Sequence, residues 1–351
     1  MKNYFFLLPN NHGATYIFNT IHWSTIKESL KFYRAYTFKG KLQKSIFTYF
    51  LFVVGKFFPS ICKSKDAIKT YLNDNINSNV DFNLDSNSSV LISPTRDKVI
   101  VNHHEHYFHK FAFGESFKKV KNESAIYISL QNAKEFQVAS LIDLKIDEQL
   151  SSCNFKLLNP PVITGHKLLE IDNLPEILVE FFNSSPRKKT VKLSCYIQDL
   201  LKRFHFLNME PINILTSYLV KIQKEYATET IPLGLVHRDF KPWNTLLRNK
   251  LLIFDFEEAI TDGPPLEDVL NYYIDPVIRY QSPLKVYGLV YSKERIVEYK
   301  AYLNLLNIKV QFELFIVTYM VERIIFWTQS DDPFYAKCYQ NLLNHILITS
   351  K

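Results

Sequence analysis

The sequence predicts an α+β protein of two lobes behind an amino-terminal extension, and three observations carry this. Residues 86–158 are patterned as short strands, residues 159–351 are patterned mostly as helices, and an Asn-, Asp- and Ser-rich run from Asn73 to Ser89 places a boundary near residue 85. With 351 residues, 47% of them apolar, the chain exceeds one typical domain and has the material for a substantial core.

The extension, residues 1–85, opens on MKNYFFLLPNNHG, whose apolar run ends at Pro9. That run is too brief for a signal peptide and is expected to form a first strand. From His22 to about Thr48 the pattern is helical, with turn chemistry at Lys39-Gly40. Ser45 to Cys62 is the most hydrophobic segment, but only Ile46 to Val54 is uninterrupted, well short of a bilayer crossing. Lys41, Lys44, Lys56, Lys63 and Lys65 flank it, so an interface-seeking helix over residues 41–65 is one reading. The expected one is a buried helix packed on the lobes.

The small lobe is expected to hold strands at Val90 to Ser93, Val99 to His103 and His106 to Phe113, with a turn at Pro94-Thr95-Arg96-Asp97. A helix from Ser116 to Gln131 follows, then weaker strands at Phe136 to Lys145 and Asn154 to Leu158, before Pro160-Pro161 stops the sheet. His103, His104, His106 and His109 invite a metal reading. Strand alternation sends two to each face, where four ligands cannot converge, so they are expected as polar strand positions.

In the large lobe, helices are expected at Leu174 to Asn183, Lys192 to Phe206, Pro211 to Glu225, Ser292 to Leu306, Gln311 to Trp327 and Pro333 to Leu347. The net charge of +7, from 42 basic and 35 acidic residues, is mild, and without a dense basic stripe no nucleic-acid partner is expected. Four scattered cysteines with no CxxC pair predict a reducing, cytoplasmic setting with neither disulfides nor zinc. Only eight glycines are present, which argues against a glycine-rich nucleotide loop.

The chemistry concentrates between Gly234 and Asp268. A short apolar strand end, Leu235-Val236, delivers Asp239 to the mouth of a loop, and Asn244 follows five residues later. An apolar arm from Leu251 to Phe254 then ends at Asp255. Two arms joined by the polar turn Arg248-Asn249-Lys250 would bring Asp239, Asn244 and Asp255 to one end of a hairpin. Carboxylate and carboxamide oxygens are hard ligands of the kind Mg2+ accepts, and the remaining Asp can orient or deprotonate a hydroxyl. Phosphoryl transfer needs that combination, because its catalysis is mostly positioning and neutralisation of charge.

His237-Arg238-Asp239-Phe240-Lys241-Pro242-Trp243-Asn244, followed by Asp255-Phe256-Glu257, resembles the catalytic and metal-binding loops of the protein kinase-like superfamily. It is most similar to the branch that phosphorylates small molecules, the aminoglycoside phosphotransferase and choline kinase type. The resemblance implies a bilobal kinase-like fold, Asp239 as catalytic base, Asn244 and Asp255 as Mg2+ ligands, and Asp268, with His237, in support of the loop. It further implies Lys110 on the third strand of the small lobe as the phosphate-pairing lysine, braced by Glu123. The turn after the first strand would cover the phosphates of ATP through backbone N–H groups or the Ser93 and Thr95 hydroxyls, and the backbone from Leu157 to Val162 would face adenine. Lys241 stands where protein serine/threonine kinases place a phosphate-contacting lysine.

Glu257 replaces the glycine of the D-F-G motif, and only a dozen residues separate Asp255 from Asp268. That gap leaves no room for a regulated activation segment, so the expected acceptor is a hydroxyl of a small molecule or glycan rather than a protein. Trp327, Asp331, Asp332 and Tyr335 are either a pocket for a cationic or sugar acceptor or, as expected, a packed tryptophan beside a solvated acidic turn. An inactive kinase-like binding module is the alternative from a different class.

Overall fold

The computed structural model describes residues 4–9, 13–30, 38–76, 82, 84, 88–103, 107–158, 171, 173–186, 189–205, 207, 212–247, 249–330 and 332–349. The chain divides into two compact units, one formed by Met1–Gln131 with Val138–His166, the other by Asn132–Gln137 with Lys167–Lys351.

The first unit is built on a seven-stranded antiparallel sheet. Its strands are β1 (Phe5–Pro9), β2 (Thr15–Asn19), β3 (Ser88–Ile92), β4 (Lys98–His103), β5 (Tyr107–Phe113), β7 (Leu141–Asp147) and β8 (Ser152–Leu158), in the order β1-β2-β3-β4-β5-β8-β7. Between β2 and β3 run helices α1 (Trp23–Ser29), α2 (Phe38–Phe57) and α3 (Lys65–Asn75), and α4 (Gly114–Ser129) follows β5. Alternation sends neighbouring side chains to opposite faces. Ile17 accordingly joins Val90, Val99 and Phe111 in a core closed by Ile68 and Leu72 of α3. Its neighbour Phe18 packs on the other face with Ile26 of α1, Leu30 just past its end and Leu51 of α2.

This arrangement alters the expected boundary near residue 85. β2 pairs with β3 through Thr15↔Ile92 and Ile17↔Val90, so the sheet runs across the Asn-rich run and residues 1–85 supply two of its strands. Sequence patterning marked a loop there and read it as a domain edge. A second difference concerns Lys39-Gly40, which lies within the first turn of α2 rather than in a turn between elements. A helical glycine costs about 1 kcal/mol against alanine, which tertiary packing can outweigh. Further along α2, Gly55 has a different role: a Cβ there would sit 2.3 Å from the Thr20 carbonyl oxygen, so only glycine lets the helix approach the end of β2.

The second unit is mostly helical: α5 (Leu174–Asn183), α6 (Leu193–His205), α7 (Ile212–Glu225), α8 (Glu267–Ile274), α9 (Pro283–Val290), α10 (Lys293–Leu305), α11 (Phe312–Gln329) and α12 (Pro333–Thr349). The α9 helix went unread in the sequence because it is short and follows Ser282-Pro283. Two small sheets accompany the helices. One has β10 (Thr230–Val236) between β9 (Lys189–Lys192) and β13 (Ile260–Gly263). The other has the hairpin of β11 (Thr245–Leu247) and β12 (Leu251–Ile253), with β6 (Phe136–Val138) at its edge. β10 can lie against α5 because Gly234 has no Cβ, which would meet the Phe182 carbonyl oxygen at 2.5 Å. The α+β class is as expected, with an antiparallel sheet in the first unit and mostly helices in the second.

Candidate active site

β10 ends at Val236 and hands the chain to a loop held from below by α8. Both oxygens of Asp268 accept main-chain hydrogen bonds, from the N–H of His237 at 2.8 Å and of Arg238 at 3.0 Å. Arg238 adopts a left-handed backbone, with φ of 61°. The Asp268 bracket holds a conformation that an L-residue seldom adopts unaided. Burial pushes the Asp268 carboxyl up to about 8, against the pull of these N–H donors. Burial likewise lowers the affinity of the His237 imidazole for a proton, outweighing Asp239 nearby. His237 Nε2 donates to the Phe254 carbonyl at 3.1 Å, the tautomer its carbonyl partner requires, and Phe256 packs between the rings of His237 and Phe181.

The hairpin does what its spacing predicts. Thr245 pairs with Ile253 and Leu247 with Leu251, and the N–H of Phe254 donates to the Asn244 carbonyl at 3.2 Å. Asn244 and Asp255 therefore flank the same end; of the turn, Arg248 lies outside the described residues. Asp239 joins them through Asn244, whose Nδ2 donates to Asp239 Oδ2 at 2.6 Å and to the Asp239 carbonyl at 2.9 Å. The donor side of the amide is thus committed to Asp239, and a metal would meet its oxygen side. Asp255, at φ 71°, is half-buried and has a carboxylate oxygen within 4.8 Å of one from Glu257. A carboxamide oxygen and carboxylates at one hairpin end are a donor set that fits Mg2+.

Lys241 is buried, and its ammonium contacts Asp239 Oδ1 while lying 2.5 Å from Asp275 Oδ2. Burial would depress its pKa, but Asp275 and Asp239 hold it up, so the ammonium stays charged. Burial would likewise raise the Asp275 carboxyl, yet Lys241 and Arg323 hold it low. Asp275 is the hub of a network that motif reading missed. Tyr339 donates its hydroxyl to Asp275 Oδ1, and Arg323 lies 3.4 Å from the same oxygen and donates to the Arg238 carbonyl at 3.2 Å. Asn271 Nδ2 also donates to the Arg238 carbonyl, at 2.6 Å, and Tyr319 donates to Asn271 Oδ1 at 2.8 Å. A signal was present: Asp268, Asn271 and the C-capping Asp275 recur at i, i+3 and i+7 along α8, so three polar groups share one face.

In the first unit, Lys110 on β5 and Glu123 on α4 form the expected ion pair, Nζ to Oε2 at 2.7 Å, with both side chains buried. The turn between β3 and β4 is a correction. Ser93 donates to Asp97 Oδ1 at 3.1 Å and Thr95 donates to the same atom, while Asp97 Oδ2 accepts from the N–H of Ser116 at 3.0 Å. The two hydroxyls hold an internal carboxylate, so the correction concerns them and not the backbone N–H groups expected as the other donors of this turn. Although burial opposes it, hydrogen bonds from Thr95, Ser116 and Ser93 lower the Asp97 carboxyl.

His109 packs against Phe111 with ring centroids 3.8 Å apart and the rings tilted by 36°, and bonds Asn154 through Nε2 at 3.2 Å, while His103 Nδ1 lies 3.4 Å from Ser88 Oγ. Residues 104–106 and 159–162, with two of the histidines and most of the adenine-facing segment, lie outside the described residues, as does Asp331. Asp332 does not line a cation pocket, because its Oδ2 accepts from Arg279 at 2.6 Å and its Oδ1 from the N–H of Tyr335 at 3.1 Å. The Arg279 guanidinium sits 3.3 Å from the centre of the Tyr335 ring, which in turn stacks on Trp327 at 4.4 Å.

The loop, the hairpin and the carboxylate bracket lie close together in the chain of the second unit. Residues 194–287, which contain all three, match the model of the phosphotransferase enzyme family. No curated protein sequence matches the chain. Among solved structures, the chain is similar to the GDP and kanamycin complex of an APH(2'') at 13% identity and a TM-score of 0.49, covering 81% of this chain and 99% of that one. It is similar to a choline kinase from Streptococcus pneumoniae at 12% identity and a TM-score of 0.47, covering 73% and 91%. An aminoglycoside 2'-phosphotransferase in its GDP complex shows 16% identity and a TM-score of 0.44, covering 72% and 89%. These are likenesses of chain path alone.

Proposed function

We infer that the protein is an ATP- and Mg2+-dependent phosphotransferase that carries the γ-phosphate to a hydroxyl of a small molecule or glycan, such as a sugar, amino sugar or amino alcohol. The observation that carries this reading is the linkage of Asp239 to Asn244 and Lys241 at the hairpin end that also presents Asp255. Asp239, about a third exposed at 31%, is reachable by an acceptor and would orient its hydroxyl and take up its proton. Lys241 holds that carboxylate in place and adds positive charge beside the transferring group. Asn244 and Asp255 would hold Mg2+, which supplies charge neutralisation on the phosphates. In the first unit, Lys110, fixed by Glu123, would pair with the phosphates.

Acceptor class follows from what the helical unit does with its own charges. The span between Asp255 and Asp268 is occupied by a turn, β13 and the left-handed Leu266 that opens α8, which supports a small acceptor over a peptide segment. Asp332 is already neutralised by Arg279, which removes the one described carboxylate expected to attract an amino-sugar cation and favours a neutral sugar hydroxyl. A glycan acceptor of this kind is consistent with a role in surface polysaccharide metabolism. The test incubates the protein with γ-labelled ATP or GTP and a panel of sugars, amino alcohols and peptides. Label on a sugar or amino alcohol, absent with Asp239→Asn, is the expected result; label on peptides alone, or on nothing, overturns it.

A further inference from the structure

Helix α2 has two apolar faces, one packed inward and the other largely exposed, where Phe50 meets Phe6 of β1 edge-on at 5.7 Å. Phe47, Leu51 and Val54 turn inward, Leu51 packing with Phe18, Ile26 and Leu30. On the opposite side, Leu42, Ile46, Tyr49, Phe50 and Phe57 recur at i, i+4, i+7, i+8 and i+15, a single stripe, and are 45–63% exposed. Phe58 and Ile61 extend the stripe past the helix end, also exposed. Single exposed apolar residues are ordinary, but a contiguous aromatic stripe along a whole helix is not.

The charges around the stripe identify what covers it. Residues 38–65 contain six lysines and no aspartate or glutamate. A second copy of the same face would set lysines against lysines, which disfavours self-association. An anionic bilayer surface offers the complement, with hydrocarbon for the stripe and phosphates for the ammonium groups. Lys56 already lies along the edge, its Nζ 5.3 Å from the Phe57 ring and 5.7 Å from that of Phe52, as a lysine does when its stem is apolar and its head reaches for the headgroups.

The platform is also fixed in position. Gly55 seats the helix against Thr20, and beyond its end the main chain of Lys63 exchanges hydrogen bonds with Phe5, donating at 2.7 Å and accepting at 3.1 Å. A helix of twenty residues is about 30 Å long. Among the described residues none is long and apolar enough to cross a membrane, so α2 would lie in the interface plane.

We propose that this face docks the protein on an anionic lipid bilayer, with the stripe from Leu42 to Ile61 in the acyl boundary and the surrounding lysines on lipid phosphates. This does not depend on the phosphotransferase reading. The test is co-sedimentation of the full chain with phosphatidylcholine vesicles, with and without phosphatidylglycerol, at low and high salt. Binding to the anionic vesicles that weakens with salt is expected. Ile46→Ser and Phe57→Ser should each lower partitioning roughly tenfold, the loss of one buried apolar side chain. Lys56→Glu and Lys63→Glu should each lower it about fivefold or more. All four positions are exposed, so unchanged thermal melting serves as the folding control. Three outcomes overturn the proposal: no sedimentation with anionic vesicles, binding indifferent to these variants, or a dimer in solution that the stripe variants convert to monomer.

Discussion

The front and the back of the loop from His237 to Asn244 are built in opposite ways. At the front, Asp239 and Asp255 are partly exposed, and Asp239 is held by Asn244 and Lys241. At the back, Asp268, Asn271, Asp275, Arg323 and Tyr339 are buried and cross-bonded, with Arg238 and Lys241 pinned between the two sides. The difference separates chemistry from support. A group that must meet a substrate keeps solvent access, whereas a group that fixes a strained backbone carbonyl or an ammonium gains from low dielectric and full satisfaction. Variants at the front should therefore remove activity with little loss of stability, and variants at the back should do the reverse first.

The largest effect expected is at the front. Asp239→Asn should lower the turnover rate by roughly 10²–10⁴, the range for losing a positioned acid–base group, with the melting temperature nearly unchanged. Steady-state kinetics beside a thermal melt measures both. A large loss of stability instead would place Asp239 with the supporting groups and break the comparison.

At the back, Asp275→Ala leaves Lys241 and Arg323 as buried cations without their shared carboxylate. Removing one partner of a buried ionic cluster costs about 3–5 kcal/mol, so urea unfolding should show a loss of that order. A loss below about 1 kcal/mol would mean that water reaches the cluster and that the back is not the dry support described here.

Histidine titration sharpens the contrast by pH. Burial holds the His109 imidazole down at about 4 and lowers that of His237 as well, against an ordinary value of 6.5. Below 6.5 the unfolded chain binds protons that the folded chain refuses, so the stability these groups provide is present above that pH and is lost as pH falls. For His109 alone the loss approaches about 2 kcal/mol by pH 5. Denaturant melts at pH 7 and 5 measure it, and His109→Gln should flatten the difference. The smallest effect is expected for Tyr319→Phe, which removes one hydroxyl from Asn271 and should cost about 1 kcal/mol with activity retained.

The front of the site was legible in the sequence because it is local. Asp239, Asn244 and Asp255 lie within one hairpin, and two short arms of matched length fix where they meet. Lys110 and Glu123 were legible for a similar reason, a strand followed directly by a helix. The back was not, since Asp275 meets Arg323 and Tyr339 across long stretches of chain, and only the polar spacing along α8 betrayed it. The turn at Ser93 and Thr95 misled because hydroxyl donors look alike whether they face a phosphate or an internal carboxylate, and Asp97 two residues on takes both. The amino-terminal strands were misassigned to a separate extension because pairing partners leave no mark in strand periodicity.

The most direct test is a thermal melt of the wild-type protein, Asp239→Asn and Asp255→Ala with ATP and Mg2+ at about a hundred times the dissociation constant, where binding to the folded state adds about 2.7 kcal/mol. The account predicts stabilisation of the wild type and of Asp239→Asn, and none of Asp255→Ala, since in the proposed mechanism Asp255 would hold the metal and Asp239 would meet only the acceptor. No stabilisation of the wild type, or stabilisation that survives in Asp255→Ala, would contradict it.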